Sequence, residues 1–233
     1  MRSLLSVVVA LAMLFLSPAM SSAQWSENFD SYASGSALAG QGGWIGWAGN
    51  PAWTSYVMSG TARSAPNADA HSGFADMVQQ FGGVTSGAWV FSGWCYIPAS
   101  IGGEQFFTLY NTYYPLNLSS RSVDLKLDLF NNLVRDNIDP GSPTLPLVRG
   151  QWVEIRIEFD FEVDWVKTYY NGTLLQEESW TAGIQSGGSL RLQALGLYAG
   201  GSPTIFWDDF DLREGGATAV QSSSWGRIKS FYH

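Results

Sequence analysis

The sequence predicts an all-β protein built as an antiparallel β-sandwich, and two alternating runs with one turn pair carry this prediction. Residues 153–161 place Val, Ile or Phe at every second position with charged residues between them, which is the period of a strand with one buried face. A second run, 165–170, ends at Asn171-Gly172, a pair that tolerates the positive φ angles of a two-residue hairpin turn. The chain then returns over 173–176. This region predicts three consecutive antiparallel strands.

Composition supports many short strands joined by tight turns. Aromatic residues make up 15% of the chain, charged residues only 14%, and 26 glycines are spread among the turns. Glycine-rich and polar loops are predicted at 33–51 and 64–72. Further strands are predicted at 25–32, 53–58, 74–81, 87–97, 106–110, 123–130, 189–198 and 204–212. The predicted core contains Leu125, Leu127, Val153, Ile155, Ile157 and Phe210.

The N-terminus predicts export. Residues 1–23 combine a charged start, an apolar run too short to span a membrane, and a small-residue exit, the pattern of a signal peptide cleaved before Gln24. The mature protein is expected to be secreted or held in the cell envelope. We expect one β-sandwich domain at 24–213 and a linker with a C-terminal tail at 214–233, which is either a sorting tag or a frayed terminus.

Charge and rare residues exclude several functions. The net charge of −8 and the lack of a basic cluster argue against nucleic acid as a partner, and no membrane span is expected in the mature chain. Cys95 is the only cysteine, so no internal disulfide can form, and its strand-like surroundings predict a buried thiol. His71, in the predicted polar loop, and His233 are the only histidines, which gives little support for a Ser-His-Asp triad or a histidine metal site.

Three segments together resemble a known family. ENFDSYASGSALAGQGGW at 27–44, QWVEIRIEFDFEVDWVKTYYNGTLL at 151–175 and IFWDDFDL at 205–212 are similar to the concanavalin A-like, laminin-G-like jelly rolls of exported bacterial proteins. The resemblance covers nearly all of 24–213 and implies a jelly-roll β-sandwich. It is weakly specific for function, because this fold includes lectins, glycan-binding modules, glycoside hydrolases and proteins with no known ligand.

A glycoside hydrolase is one alternative function. Glu158, Asp160 and Glu162 alternate along the sequence and resemble the Glu-x-Asp-x-Glu signature of the laminarinase and lichenase family, where such a row supplies a nucleophile and a general acid. In that family the acidic strand lies well before a hairpin like Tyr169 to Gly172, whereas here the hairpin follows almost at once. The register therefore favours a solvated strand face and turn over a catalytic strand.

A non-catalytic carbohydrate-binding or surface-associated module is the predicted function, with polysaccharide as the expected partner. Aromatic rings at loops and strand ends can stack on sugars while polar side chains bond the hydroxyls. A structural envelope protein with no small ligand is a third possibility. The binding candidates, each of which could instead pack over the sandwich or be solvated, are Trp44, Trp47, Tyr110, Tyr113, Tyr114, Asp124, Lys126, Arg156 and Glu158.

A structural calcium is predicted between the first and last strands. Asp208 is two residues from both Phe206 and Phe210, so in a strand its side chain is expected to point inward with theirs. A buried carboxylate must be neutralised or multiply hydrogen bonded. Glu27 has the same parity as Phe29 on the first strand and would be the second ligand. Related jelly rolls carry calcium near their terminal strands, as the resemblance implies. The alternative is that Asp208 caps backbone N–H groups of a neighbouring loop.

Overall fold

The computed structural model describes residues 23–115, 119–139, 141–182 and 188–215. The predicted signal peptide, apart from Ala23, and the predicted tail beyond Gly215 lie outside the described residues. Within the described part, no helix is long and apolar enough to cross a membrane.

The described chain is built from strands β1 to β15, with one 3-10 turn at Trp47–Gly49. The all-β prediction is confirmed. In chain order, the strands are β1 Ala23–Glu27, β2 Trp44–Gly46, β3 Tyr56–Ser59, β4 Asn67–Gly73, β5 Asp76–Gln80, β6 Ala88–Tyr96, β7 Glu104–Thr112, β8 Ser120–Asp128, β9 Leu133–Asp136, β10 Thr144–Pro146, β11 Trp152–Asp160, β12 Trp165–Tyr170, β13 Thr173–Glu178, β14 Ala194–Tyr198 and β15 Ser202–Glu214.

The strands form two antiparallel sheets that pack as a sandwich. Sheet A has the order β13-β12-β11-β6-β15-β4-β3, with β1 also paired to β15, and sheet B has the order β10-β9-β8-β7-β14-β5-β2. Each sheet buries one face against the other, so the side chains of successive residues in a strand alternate between the core and the outside. This confirms the predicted antiparallel sandwich.

The region from β11 to β13 has the predicted topology. β11 pairs antiparallel with β12, from Ile155 opposite Tyr170 to Asp160 opposite Trp165, and β12 pairs with β13. Asn171 and Gly172 have φ values of 48° and 75°. Both values lie in the left-handed region that a tight hairpin turn of this kind requires.

The core lies between the sheets and is dominated by aromatic side chains. All six residues predicted for it are buried. Phe210 is at its centre, and its ring lies 6.0–6.2 Å from the rings of five others, Trp25, Phe29, Trp44, Phe91 and Trp207. Cys95 is fully buried as predicted, and burial raises the pKa of its thiol.

Some local predictions differ from the structure. The polar segment predicted as a loop at 64–72 contains all but the last residue of β4, in which Asp69 and His71 are fully buried and their side chains lie 3.2 Å apart. A polar strand of this kind has no hydrophobic alternation to reveal it. The predicted strand at 25–32 ends at Glu27, because Phe29 adopts a φ of 60° and turns the chain.

Candidate functional site

The outer face of sheet B holds a cavity of about 350 Å³. Phe107, Leu109 and Leu125 point into the core, so their neighbours on β7 and β8 point outward into this cavity. We call it the Trp47 cleft. It is lined by Trp47, Asp76, Phe106, Thr108, Tyr110, Arg121, Asp124, Asn137 and Tyr198.

Strand register brings these side chains together. Across β5, β14 and β7, Asp76 lies opposite Tyr198, which lies opposite Phe106. The next outward row of β14, β7 and β8 contains Gly196, Thr108 and Asp124. The floor of the Trp47 cleft is therefore made of paired strands in the middle of the sheet.

Aromatic rings line two parts of the cleft. Trp47 lies 5.8 Å from Tyr110 and 5.2 Å from Tyr113, between ring centroids, and the phenol oxygen of Tyr113 accepts a hydrogen bond from the Ala48 backbone. Phe106 and Tyr198 stack at 5.8 Å with their planes 24° apart. These rings expose flat apolar surface beside a polar floor.

Gly196 allows the Tyr110 ring to lie against β14. A Cβ atom at position 196 would stand 2.6 Å from Cε2 of Tyr110, closer than any real Cβ contact. With no side chain at this position, the ring can lie directly over the strand backbone.

Asp124 organises the polar floor. Its side chain is 1% exposed and accepts hydrogen bonds from Thr108 Oγ1 at 2.8 Å, Asn137 Nδ2 at 2.8 Å and Arg121 Nη1 at 2.5 Å. A buried carboxylate with three donors and a cationic partner is satisfied. Asp124 therefore fixes the orientation of the Arg121 guanidinium and the Asn137 amide.

Asp76 is the contrasting carboxylate of the cleft. It is half-buried and has no side-chain hydrogen bond or ion pair within the part of the chain that the structure describes. Burial raises its pKa to about 7, and the nearby His71 imidazole opposes this only in part. Burial, followed by the Asp76 carboxylate, also raises the pKa of the Tyr110 phenol. Asp76 is thus close to Tyr110 and poorly neutralised.

Several predicted binding residues gather here. Trp47, Tyr110 and Asp124 line the cleft, and Tyr113 packs against Trp47 at its border. Lys126 lies one row further along the outer face of β8, where it forms an ion pair with Glu104. Tyr114 is 57% exposed and does not line the cleft.

Three predicted binding residues lie elsewhere. The Trp44 indole is 0% exposed and packs in the core against Phe29 and Phe210, so no ligand can contact it in this structure. It lies on β2, where strand alternation turns it inward, and not on the predicted loop. Arg156 and Glu158 form an ion pair with each other on β11 of sheet A, the opposite sheet to the cleft.

The alternative catalytic residues have structural partners. Glu158 pairs with Arg156, Asp160 Oδ1 accepts a hydrogen bond from the Glu162 backbone at 2.9 Å, and Glu162 Oε1 accepts one from the Gly87 backbone at 3.3 Å. Glu158 and Asp160 lie on β11, and Glu162 lies in the turn that follows it. None of the three lines the Trp47 cleft. These positions agree with the expectation from sequence that the three carboxylates belong to a strand face and the turn after it.

The predicted calcium ligands lie in separate hydrogen-bond networks. The Glu27 carboxylate accepts hydrogen bonds from the Phe29 backbone at 2.8 Å and from the Tyr32 hydroxyl at 2.5 Å. Asp208 is fully buried and accepts from the backbones of Arg63 at 2.7 Å, Ser64 at 3.1 Å and Asp209 at 2.8 Å. The described residues contain no group of three His, Cys, Asp or Glu side chains suited to a metal. The geometry fits the capping alternative for Asp208, and calcium stays a prediction.

We expect Asp208→Ala to lower the free energy of unfolding by about 2 kcal/mol, because it leaves three backbone N–H groups without this acceptor. Thermal melts of both proteins, with calcium and with a chelator, measure this. The same difference in both conditions supports capping. A calcium-dependent rise in midpoint that Asp208→Ala abolishes would support the metal site instead.

Six lining residues were not among the predicted binding residues: Asp76, Phe106, Thr108, Arg121, Asn137 and Tyr198. Parity could have identified Tyr198, because it follows the inward-facing Leu197. Asp76 lies in the strand predicted at 74–81, whose residues also suit a helix. No signal marks Asn137, which enters the cleft only through the pairing of β8 with β9.

No family model and no curated protein sequence matches this chain. Solved structures do share its fold. A variant of alginate lyase Aly36B in complex with alginate tetrasaccharide is 12% identical over 83% of this chain and 97% of that chain, with a TM-score of 0.55. Cellulose induced protein Cip1 is 14% identical over 84% and 100%, with a TM-score of 0.52. Endo-β-1,4-glucuronan lyase from the fungus Trichoderma reesei is 12% identical over 83% and 96%, with a TM-score of 0.50. At these identities the likeness establishes the β-sandwich fold alone.

Proposed function

We propose that the protein is an exported, non-catalytic polysaccharide-binding module of the concanavalin A-like type, and that the Trp47 cleft holds a segment of the glycan chain. The observation that carries this proposal is the combination of exposed ring faces with a fixed polar floor in one cavity. Sugars present apolar C–H faces and a rim of hydroxyl groups, so they need both kinds of surface.

Each part of the cleft has a role in such binding. The faces of Trp47 and Tyr198 offer stacking surface for pyranose rings. Arg121 and Asn137 offer N–H donors held in place by Asp124, and Asp76 offers an acceptor. Because the floor is already hydrogen bonded, few side chains have to be ordered when a ligand binds.

The names of the similar structures support a glycan ligand. Two are lyases of alginate and glucuronan, and the third is named for induction by cellulose. Their names differ in polymer and in activity, so they support a polysaccharide without specifying which one. The class of polysaccharide therefore has to be inferred from the side chains that line the cleft.

Trp47→Ala is expected to weaken glycan binding by about tenfold or more, because it removes a large, partly exposed ring that packs against Tyr110 and Tyr113 in the cleft. Retardation on affinity gels containing soluble polysaccharides would identify a ligand, and titration calorimetry would give the dissociation constant. Trp165→Ala is the matched control, because Trp165 lies on β12 of sheet A. Equal weakening by both substitutions would contradict a site at the cleft.

The same polysaccharide screen separates the alternatives. Retention without release of reducing ends supports the binding module. Release that Glu158→Gln abolishes would support the hydrolase with Glu158 and Glu162. A structural envelope protein would show neither retention nor release.

A further inference from the structure

One charge in the Trp47 cleft has no partner of opposite sign. The cleft contains three charged side chains, Asp76, Arg121 and Asp124. Arg121 and Asp124 form an ion pair at 2.5 Å and neutralise each other. Asp76 is left with a half-buried carboxylate that no described Lys or Arg contacts.

The basic groups near Asp76 cannot neutralise it. In the register Asp76, Tyr198, Phe106 and Lys126, the lysine is three strand spacings away, roughly 14 Å, and it is paired with Glu104. Arg121 is also three strands away, since Gln80, Ala194, Tyr110 and Arg121 form a different row. His71 is fully buried and interacts with Asp69. None of these basic groups therefore neutralises the ionised Asp76 carboxylate in the cleft.

The surroundings of Asp76 suit a cation. Trp47, Phe106, Tyr110 and Tyr198 line the same cavity, and the negative face of an aromatic ring attracts ammonium groups. A half-buried carboxylate beside several rings combines charge attraction with cation–π attraction. Neutral sugars offer only hydroxyl groups to this carboxylate, and acidic sugars are repelled by it.

We propose that the Trp47 cleft selects a polysaccharide that carries protonated primary amines, an amino-sugar polymer, and that Asp76 binds the ammonium group. This rests on the proposed glycan-binding function and names its ligand class. The ammonium supplies the counter-charge that the cleft lacks, while the pyranose rings stack on the aromatic side chains. Arg121 and Asn137 remain available to the hydroxyl groups.

The acid–base behaviour of Asp76 is consistent with this role. Burial holds its pKa at about 7, so near neutral pH much of the free protein carries a protonated Asp76. An ammonium group bound beside it favours the ionised form and lowers that pKa. At about pH 6, where the sugar amine is protonated and most of the Asp76 carboxyl is still protonated, complex formation should therefore release protons, a signal that a neutral sugar does not produce.

The test compares glucosamine oligomers with N-acetylglucosamine oligomers of the same length, in which an acetyl group on each nitrogen removes the positive charge. We expect titration calorimetry at about pH 6, where the amine is protonated, to show at least tenfold tighter binding of the amine form, with proton release seen as a heat that depends on the buffer. Asp76→Asn should reduce the preference to about parity. Glu177→Gln, which removes the same charge from β13 of sheet A, should leave the preference unchanged.

The outcomes separate this proposal from the proposed function. Equal or tighter binding of the acetylated form overturns the amine preference and leaves polysaccharide binding intact, whereas no binding of any polysaccharide overturns both. Polylysine controls for general attraction to an acidic protein. If polylysine binds as tightly and Asp76→Asn changes nothing, the proposal fails. Circular dichroism verifies that Asp76→Asn folds, and the comparison of the two oligomers on the unaltered protein does not depend on that variant.

Discussion

Phe210→Ala is expected to lower the free energy of unfolding by about 4 kcal/mol, the largest stability loss that we predict for a single substitution in this protein. Phe210 is 2% exposed and contacts five aromatic rings contributed by β1, β2, β6, β15 and the turn after β1. Removing its ring leaves a cavity that rigid neighbours cannot fill. Denaturant unfolding followed by tryptophan fluorescence measures the loss.

The matched control is Phe130→Ala. Phe130 is 72% exposed, so its truncation should change the free energy of unfolding by less than about 0.5 kcal/mol. A loss of under about 1 kcal/mol for Phe210→Ala would contradict the central position of this ring in the core.

Gly196→Ala is expected to weaken glycan binding by about tenfold or more, because the new methyl group displaces the Tyr110 ring from β14. The backbone at Gly196 does not have a positive φ, so alanine is compatible with the strand itself. The main structural effect should therefore be on the position of Tyr110. Affinity gels and calorimetry with the glycan found in the screen measure the change in dissociation constant.

Gly82→Ala controls for the Gly196 substitution. Gly82 also lacks a positive φ, and a Cβ atom there would meet no heavy atom within 4 Å. It should bind like the unaltered protein. Full affinity in a folded Gly196→Ala protein would show that the Tyr110 position does not matter for binding.

The β-sheet topology was predictable where alternation and turns coincide. The strands from 152 to 178 combine strict alternation with an Asn-Gly turn, so local sequence alone determines their number and direction. β4 was not predictable in this way. Its buried residues Asp69 and His71 are polar and interact with each other, so no hydrophobic pattern in the sequence marks the strand. A segment with such a buried polar pair has the composition of a loop, and only its pairing with neighbouring strands identifies it as a strand.

The candidate site was predictable only in part, for a related reason. Alternation places Asp124 on the outer face of β8, and Trp47 and Tyr110 are noticeable as aromatic residues in loops or at strand ends. Trp44 has the same local character as Trp47, yet the short strand β2 turns it into the core. The contrast between the satisfied Asp124 and the unpaired Asp76 depends on which strands are neighbours, and β5 and β8 are far apart in sequence.

The hydrogen bonds beneath the cleft also bear on the rates of binding. Thr108, Asp124 and Asn137 tie together β7, β8 and the segment after β9, so the polar floor has its shape before a ligand arrives. A ligand that docks on a preformed surface binds without a conformational change of the protein. Its association rate should therefore change little among related oligomers. Discrimination between a fitting and a poorly fitting chain should then appear in how long each one stays bound. Such a surface releases poor ligands quickly and so samples many chain segments before it retains one.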